Sequence, residues 1–126
     1  PVRAVLLLQK EVAEKLCASQ PRMNVLALHV QTFGRPQILA AVSRHNFRPE
    51  PRVDSAIVRI DFPQPAQKFL FSLQDYFALI HRAFSQKRKM LRATLPVELL
   101  TKAAIEPTRR PETMTIDEWK RLACAE

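Results

Sequence analysis

Glycine is almost absent from this sequence, since Gly34 is the only one in 126 residues. Average glycine usage is about 7%, so the shortage is informative. Neither a Walker phosphate loop nor the GxGxxG turn of dinucleotide-binding folds can be written with one glycine. If this protein uses a nucleotide-type cofactor, the part that binds it lies outside this stretch.

Cysteine is also scarce. Cys17 and Cys124 lie far apart and form no CxxC pair, which argues against a disulfide framework and fits a reduced compartment. His29, His45 and His81 lack the spacing of metal ligands, so we expect surface or hydrogen-bonded histidines and no metal site.

Long apolar runs and catalytic patterns are missing as well. No run approaches the roughly 20 residues that a membrane-spanning helix needs, and no signal peptide is recognisable, so we expect a cytoplasmic protein that avoids membranes. No serine lies in a nucleophile elbow, and no acid pair shares an apolar helix face, so these residues alone specify no reaction. The chain begins at Pro1 and not at methionine, which indicates a piece of something longer.

Positive charge is abundant. Twenty Lys and Arg against 12 Asp and Glu give a net charge of +8 and a pI near 10.2. This balance favours an anionic partner, RNA or DNA ahead of a membrane surface, with plain solubility as the alternative. A hydrophobic content of 47% is sufficient for a globular core.

The first half alternates short apolar runs with one clear helix pattern. Residues 4–8 predict a strand buried on both faces, as in a parallel sheet, and residues 9–18 predict an amphipathic helix. Residues 23–33 favour a helix that ends at Gly34 in the C′ position, with a strand as the alternative. Residues 37–42 and 53–62 predict an antiparallel hairpin.

The second half predicts helices only. After a boundary at residues 63–67, Ser72 and Asp75 are typical of a helix start, and Thr115 with Glu118 forms a capping-box pattern. Between these two starts, residues 87–95 and 97–105 predict two further short helices.

Cations cluster in the helical half. One tract without any acid holds Arg82, Lys87, Arg88, Lys89 and Arg92. Arg109 and Arg110 form a second, smaller cluster. Such residues can contact nucleic-acid phosphates, although a solvated helix face is the plainer reading of a charge run.

A proline-stiffened loop joins the two strands of the predicted hairpin. Residues 47–55 read FRPEPRVDS, and Pro49 and Pro51 each restrict the residue before them to extended geometry. Phe47 is therefore presented at the start of a rigid loop. The ring either plugs the hairpin against the sheet or serves a binding site.

Four segments, in order, resemble the small-subunit rRNA adenine dimethyltransferases. They are residues 7–16 (LLQKEVAEKL), 47–58 (FRPEPRVDSAIV), 83–92 (AFSQKRKMLR) and 104–113 (AIEPTRRPET). The second is similar to the family's FxPxPxVxS motif. Large-subunit rRNA methyltransferases of antibiotic resistance share the proline loop, and mitochondrial transcription factors B share the fold.

The resemblance implies an α/β fragment, the last strands of a Rossmann-like S-adenosylmethionine methyltransferase domain, followed by a small all-α C-terminal domain. We expect these to be residues 1–66 and 67–126. The parent enzyme would transfer methyl groups from S-adenosylmethionine to the exocyclic amine of adenines in small-subunit rRNA during ribosome biogenesis. This fragment would bind no cofactor and be inactive alone.

The resemblance also implies roles for individual residues. Phe47 would stack on the target adenine, and the cations expected near rRNA are Arg82, Lys87, Arg88, Lys89, Arg92 and Arg110. The expected partner is small-subunit rRNA or the pre-ribosomal small subunit, and stripped sheet edges predict self-association of the fragment. The alternatives are a stand-alone basic RNA-binding module without enzymatic activity and a basic scaffold that binds protein only.

Overall fold

The computed structural model describes residues 2–63, 68–86 and 88–126. The chain divides into two compact units, Pro1–Ala18 with Val30–Gln67, and Ser19–His29 with Lys68–Glu126. The predicted boundary at residues 66 and 67 lies outside the described residues and stays a prediction.

The first unit is built on a three-stranded antiparallel sheet of order β1-β3-β2. Its strands are β1 (Arg3–Gln9), β2 (Arg35–Val42) and β3 (Ser55–Asp61). The β2–β3 pairing confirms the predicted hairpin. β3 lies in the centre of the sheet. Ala56, Val58 and Ile60 are buried on one face, and the residues between them are partly exposed on the other.

Residues 4–8 form the predicted strand, but the prediction that it is buried on both faces in a parallel sheet is wrong. β1 is a strand, but it pairs antiparallel with β3 and forms an edge of the sheet. Val5, Leu6 and Leu7 are 59%, 41% and 53% exposed. The apolar run correctly predicts a strand, but within the described residues nothing covers its outer face or pairs with its free edge.

Helix α1 (Lys10–Leu16) covers the buried face of the sheet. It contributes Ala13 and Leu16 to a core with Ala56, Val58 and Ile60 of β3. Burial of such side chains contributes about 25 cal/mol per Å² of apolar surface. The strongly alternating β3 and the i, i+3 spacing of the two α1 residues together make this core.

The favoured prediction of a helix in residues 23–33 is confirmed by α2 (Val25–Gln31). The Gly34 N–H donates to the Val30 carbonyl at 2.9 Å, which closes the helix end. Gly34 has no positive φ, however, so left-handed geometry is not why glycine stands here. A Cβ at Gly34 would lie 2.9 Å from Ile60 Cγ2 and 3.0 Å from the Asp61 carbonyl oxygen. Glycine is needed because the chain passes close to β3.

The second unit contains helices α3 (Leu73–Phe84), α4 (Val97–Lys102) and α5 (Ile116–Ala125). Both predicted N-termini are confirmed. Ser72 Oγ accepts from the Asp75 N–H at 3.3 Å, and Thr115 and Glu118 form the reciprocal capping box. Buried side chains of this unit include Trp119, Tyr76, Ile80, Leu91, Leu100 and Leu122.

The predicted helix over residues 87–95 is wrong. The described part of that stretch contains a turn, closed by Lys89 N–H donating to the Gln86 carbonyl at 2.9 Å, and a 3-10 helix at Leu91–Ala93. Helical propensity is overridden there because the Leu91 and Arg92 N–H groups bond to another segment. The helix predicted over residues 97–105 is shorter than expected, since it ends at Lys102 and Ala104 has φ of 57°.

Candidate nucleic-acid interface

The proline loop lies at the carboxyl edge of the sheet. β1 and β2 run in the same direction on either side of β3, and their last residues, Gln9 and Val42, both stand opposite Ser55. The loop between Val42 and Ser55 therefore begins and ends at the edge where β1 and β2 finish. In open α/β sheets, ligands bind outside the carboxyl ends of the strands.

Hydrogen bonds hold the two ends of this loop together. The Arg44 N–H donates to Asp54 Oδ1 at 2.9 Å, and the Arg44 guanidinium donates to the Arg52 carbonyl at 3.2 Å. The Lys10 N–H, at the start of α1, donates to the Asp54 carbonyl at 3.0 Å. Asp54 thus ties the loop both to itself and to the end of β1.

Phe47 follows a short 3-10 turn, Arg44–Asn46, and has extended backbone angles of φ −114° and ψ 150°. Its side chain is half-buried and belongs neither to the buried core nor to the apolar residues packed against that core. Its backbone N–H donates to the Arg44 carbonyl at 3.3 Å. The 3-10 turn and the hydrogen bonds of Arg44 therefore fix the backbone position from which the Phe47 side chain extends.

A cleft of about 410 Å³ lies beside the loop. Its lining consists of Lys10, Glu11, Glu14, Arg44, Arg52, Val53 and Asp54. Its three cations and three carboxylates balance in formal charge, so the cleft has no net positive charge that would attract an anion. Glu11 is also paired with Lys15 at 3.6 Å.

The predicted basic tract is exposed in the second unit. Arg88, Lys89, Arg92 and Arg110 all have exposed side chains, and Lys87 lies outside the described residues. The Leu91 N–H donates to the Arg109 carbonyl at 2.7 Å, and the Arg92 N–H donates to the Pro107 carbonyl at 3.1 Å. These bonds bring together the backbones of two cation clusters that are separate in sequence. We refer to the exposed side chains of Arg88, Lys89, Arg92 and Arg110 as the basic surface.

Arg82 does not share this arrangement. It is exposed on α3 and lines a small cavity of about 110 Å³ together with Asp75 and Glu126. Two carboxylates near its guanidinium offset part of its positive charge. Of the predicted RNA-binding residues that are described, Arg82 therefore has the least favourable surroundings for a phosphate.

Arg109 makes side-chain contacts, whereas the side chain of its neighbour Arg110 is exposed. Its guanidinium donates to both carboxylate oxygens of Glu118 and, at 2.8 Å, to the Thr113 carbonyl. The Arg109 hydrogen bond is the main reason that the pKa of Glu118 is lowered, ahead of the opposing effect of burial. The sequence pattern grouped Arg109 with Arg110 and did not reveal this pair, because the ion pair depends on the loop's tertiary folding.

Other chemistry is limited within the described residues. No group of three or more His, Cys, Asp or Glu side chains is placed to hold a metal ion in residues 2–63, 68–86 and 88–126. Burial raises the pKa of the Cys17 thiol, which disfavours the reactive thiolate. Across the same residues, every helix is too short or too polar to span a bilayer.

Comparisons with known proteins add to this geometry. Residues 1–123 match the family model described as Ribosomal RNA adenine dimethylase. The chain is 38% identical to Ribosomal RNA small subunit methyltransferase A of Dehalococcoides mccartyi, over 97% of this chain and 45% of that protein. It is also 38% identical to the protein of that name from Acidothermus cellulolyticus, over 98% of this chain and 46% of that protein.

Solved structures show the same fold. A dimethyladenosine transferase from Plasmodium falciparum superposes with a TM-score of 0.82 at 23% identity, covering 95% of this chain and 55% of that one. The 23S rRNA methyltransferase ErmE gives 0.66 at 21% identity, with 98% and 54% covered. The chain spans slightly less than half the length of the curated relatives described above.

Proposed function

The chain belongs to the ribosomal RNA adenine dimethylase family, and we propose that it is the carboxyl-terminal portion of such an enzyme. The parent transfers methyl groups from S-adenosylmethionine to the exocyclic amine of adenines in small-subunit rRNA, in the cytoplasm. This portion supplies base stacking and rRNA docking. The observation that carries the proposal is the position of Phe47. Its half-buried side chain lies on a hydrogen-bonded loop, at the edge of the sheet where β1 and β2 end.

The residues described do not fit S-adenosylmethionine. Gly34 is the only glycine, and it is packed against Ile60 and Asp61 instead of forming a phosphate- or nucleoside-binding turn. The cleft beside the loop is lined by charged side chains of both signs, with Val53 as its one apolar lining residue and no aromatic ring to stack on an adenine. We therefore assign the cofactor to the remaining half of the parent and expect no methyl transfer by this chain alone.

Phe47 is proposed to stack on the target adenine. Extruding a base from its stack costs a few kcal/mol, and stacking on an aromatic ring recovers about 1–3 kcal/mol. A ring that fills the hydrophobic core could not do this. Phe47 is only half-buried and lies outside the core of its unit. This supports a role in stacking on a base and argues against a role in filling the core. No other ring stacks on it within residues 2–63, 68–86 and 88–126.

The basic surface is proposed to dock on the rRNA backbone. Each cation that meets a phosphate releases counterions, which makes binding sensitive to salt. Arg suits this role because its planar fork matches phosphate oxygens. The Leu91–Arg109 and Arg92–Pro107 backbone bonds hold the two segments that carry these cations against each other, so their backbones are in place before RNA arrives. The proposed helical docking domain is residues 67–126, and the proposed methyltransferase-domain portion is residues 1–66.

Methylation and binding must be measured separately in the full-length parent. We expect Phe47→Ala to lower adenine methylation at least about tenfold while rRNA affinity changes less than about threefold, because stacking acts on one extruded base. Phe33→Ala is the matched control. Phe33 is 37% exposed and lies just before the amino end of β2, whereas the proline loop follows the carboxyl end of that strand. Equal losses of methylation and binding, or loss of folding, would favour the core plug.

The stand-alone RNA-binding module is the competing function. The coding sequence upstream of Pro1 separates the two. An open reading frame without a glycine-rich strand–turn–helix unit before Pro1 would overturn the enzyme proposal and leave RNA binding as the function.

The free edge of β1 supports the proposal that the chain is a portion. A seven-residue edge strand with no proline and no charge between Arg3 and Gln9 is open to further pairing. The β2 edge is protected by Pro36 and by a bulge between Ile38 and Ala40. In the parent, the β1 edge would pair with the remaining half.

For the isolated chain we propose that two copies pair through this β1 edge. An antiparallel arrangement sets Arg3 opposite Gln9 of the second copy and so avoids a like-charge contact. Sedimentation velocity should show a concentration-dependent dimer. Val5→Lys, on the β1 edge, should shift it to monomer, whereas Leu39→Lys at the β2 bulge should not. A compact monomer at all concentrations would contradict self-association.

A further inference from the structure

Glu50 connects the chain on one side of Phe47 to the chain on the other side. Its Oε1 atom lies 2.8 Å from Nδ1 of His45 and 3.4 Å from Nε of Arg44. Both partners precede Phe47 in the sequence, and Glu50 follows it. These contacts therefore close a short ring of chain that includes Phe47, inside the wider closure that Asp54 makes with Arg44.

The local backbone restricts both ends of the contact between Glu50 and His45. Pro49 fixes its own φ, and Pro51 restricts Glu50, the residue before it, to extended geometry. At the other end, the side chain of Ser43 accepts the His45 N–H at 3.3 Å and begins the 3-10 turn. The two side chains therefore lose less conformational freedom when they meet than they would on an unrestrained loop.

We propose that Glu50 is a positioning residue for the methylation reaction, an inference that rests on the proposed stacking of Phe47 on the target adenine. Its carboxylate holds the loop in the conformation that presents the Phe47 ring, and it does not touch the base. The FxPxPxVxS pattern leaves the position of Glu50 open. The motif that locates Phe47 therefore assigns no role to Glu50.

The charge of Glu50 strengthens its contacts, while solvent weakens them. Hydrogen bonds to an ionised group are shorter and stronger than neutral ones, and His45 can donate from Nδ1 when protonated or in one neutral tautomer. The Glu50 side chain is 48% exposed and that of His45 is 69% exposed, so each contact contributes modestly. We therefore expect loss of Glu50 to loosen the loop a few-fold without unfolding the chain.

Glu50→Ala in the full-length parent removes the carboxylate that both contacts share. It should lower kcat for adenine methylation about three- to tenfold, less than Phe47→Ala, and change KM for rRNA less than about twofold, because the basic surface is intact. Glu50→Gln keeps an oxygen that accepts from His45, so it should recover part of the lost kcat. Arg44 is unsuitable for this test because its guanidinium also donates to the Arg52 carbonyl.

Asp61→Asn is the matched control. The Asp61 carboxylate is also shared by two cations, with Arg3 Nε at 2.7 Å and Arg59 Nε at 3.2 Å, and it is 37% exposed. It ends β3, whereas the proline loop precedes the start of that strand. Its loss should therefore leave kcat within about twofold.

Hydrogen–deuterium exchange of the parent, resolved by residue, tests the loop without relying on methylation. The N–H groups of Arg44 and Phe47 both donate within the loop, the first to Asp54 Oδ1 and the second to the Arg44 carbonyl. Both should exchange at least about threefold faster in Glu50→Ala, and at the unsubstituted rate in Asp61→Asn. Thermal melting shows whether each variant is folded.

The measurements separate the role of Glu50 from the stacking of Phe47. Faster exchange in Glu50→Ala, together with a loss confined to kcat, supports the positioning role. Unchanged exchange would overturn it, as would equal changes in kcat and KM. A loss of methylation in Phe47→Ala but not in Glu50→Ala would overturn only the role of Glu50, whereas a loss in neither variant would overturn the proposed stacking as well.

Discussion

The guanidinium of Arg109 donates to both carboxylate oxygens of Glu118, and Glu118 Oε1 also accepts the Thr115 N–H at 2.9 Å. One carboxylate therefore caps α5 and anchors the turn that precedes it. Through the Leu91 N–H, which donates to the Arg109 carbonyl, the same turn holds the basic tract. Glu118, an acidic residue outside the basic surface, is thus linked through Arg109 to the backbone that carries that surface.

Glu118→Gln should lower the free energy of unfolding by about 1.5–3 kcal/mol, because hydrogen bonds to charged groups carry that much. Glu118 is 18% exposed, so solvent screens the pair only partly. Urea denaturation provides the measurement. Glu14→Gln, an exposed helical carboxylate, is the control and should change stability by less than about 0.5 kcal/mol. Equal effects would show that the Arg109 pair adds little.

The same carboxylate predicts a pH dependence. The Arg109 hydrogen bond lowers the pKa of Glu118 in the folded chain. Its contribution is therefore complete above the unfolded value of about 4.3 and is lost as pH falls through the folded pKa. The stability difference between the unsubstituted chain and Glu118→Gln should be constant above about pH 5 and shrink on acidification. A difference that grows in acid would contradict this assignment.

Gly34→Ala should destabilise the first unit by about 1–3 kcal/mol, the usual cost of overpacking. The added Cβ would meet Ile60 Cγ2 at 2.9 Å and the Asp61 carbonyl oxygen at 3.0 Å. In an Ile60→Ala background the nearest atom is gone, so the cost of Gly34→Ala should fall there. A double-mutant cycle by urea denaturation measures this coupling. Strictly additive effects would show that the Ile60 side chain does not cause the loss and would leave the backbone contact with Asp61 as its source.

Arg92→Ala should weaken rRNA binding and reduce the slope of log affinity against log salt by about one, as expected for loss of a phosphate contact. Filter binding to small-subunit rRNA over a salt series is the measurement. Lys102→Ala removes an exposed cation at the end of α4 and should leave the slope unchanged. A binding curve insensitive to salt and to both substitutions would favour the scaffold that binds only protein.

Phe47→Ala in the isolated chain separates the two roles of the ring by stability alone. A half-buried side chain outside the core should cost less than about 1.5 kcal/mol, whereas a phenylalanine that plugs a core costs about 3–5 kcal/mol. Val58→Ala, at a fully buried position of β3, is the reference for a core loss. Thermal or urea unfolding distinguishes the outcomes, and a loss for Phe47 exceeding that for Val58 would exclude a free stacking face.

Local patterns predicted much of the fold. The alternation of β3 and the caps at Ser72 and Thr115 are determined by neighbours in sequence, and the structure confirms them. The helix expected over residues 87–95 does not form because the N–H groups of Leu91 and Arg92 donate to the carbonyls of Arg109 and Pro107, far along the chain. The prediction that β1 is buried on both faces is wrong. An apolar run shows that a strand can be buried, but it does not show whether the elements that would pack on it are present.

The candidate site was predictable only in part. The proline pattern predicted where Phe47 stands, and the charge pattern predicted which cations are exposed. Neither pattern could reveal that Arg109 pairs with Glu118, or that His29 meets His81. Both pairs join residues whose separation in sequence carries no periodic signal, so only tertiary folding brings them together.

The unequal edges of the sheet set a limit on assembly. β1 can accept another strand, while Pro36 and the bulge make β2 a poor acceptor. When two copies pair through β1, neither copy has a second edge that readily accepts a strand. Both outer edges of the combined sheet are then β2. The proposed association would therefore be self-terminating. An exposed apolar strand, which could otherwise pair without limit, would yield a closed dimer of finite size.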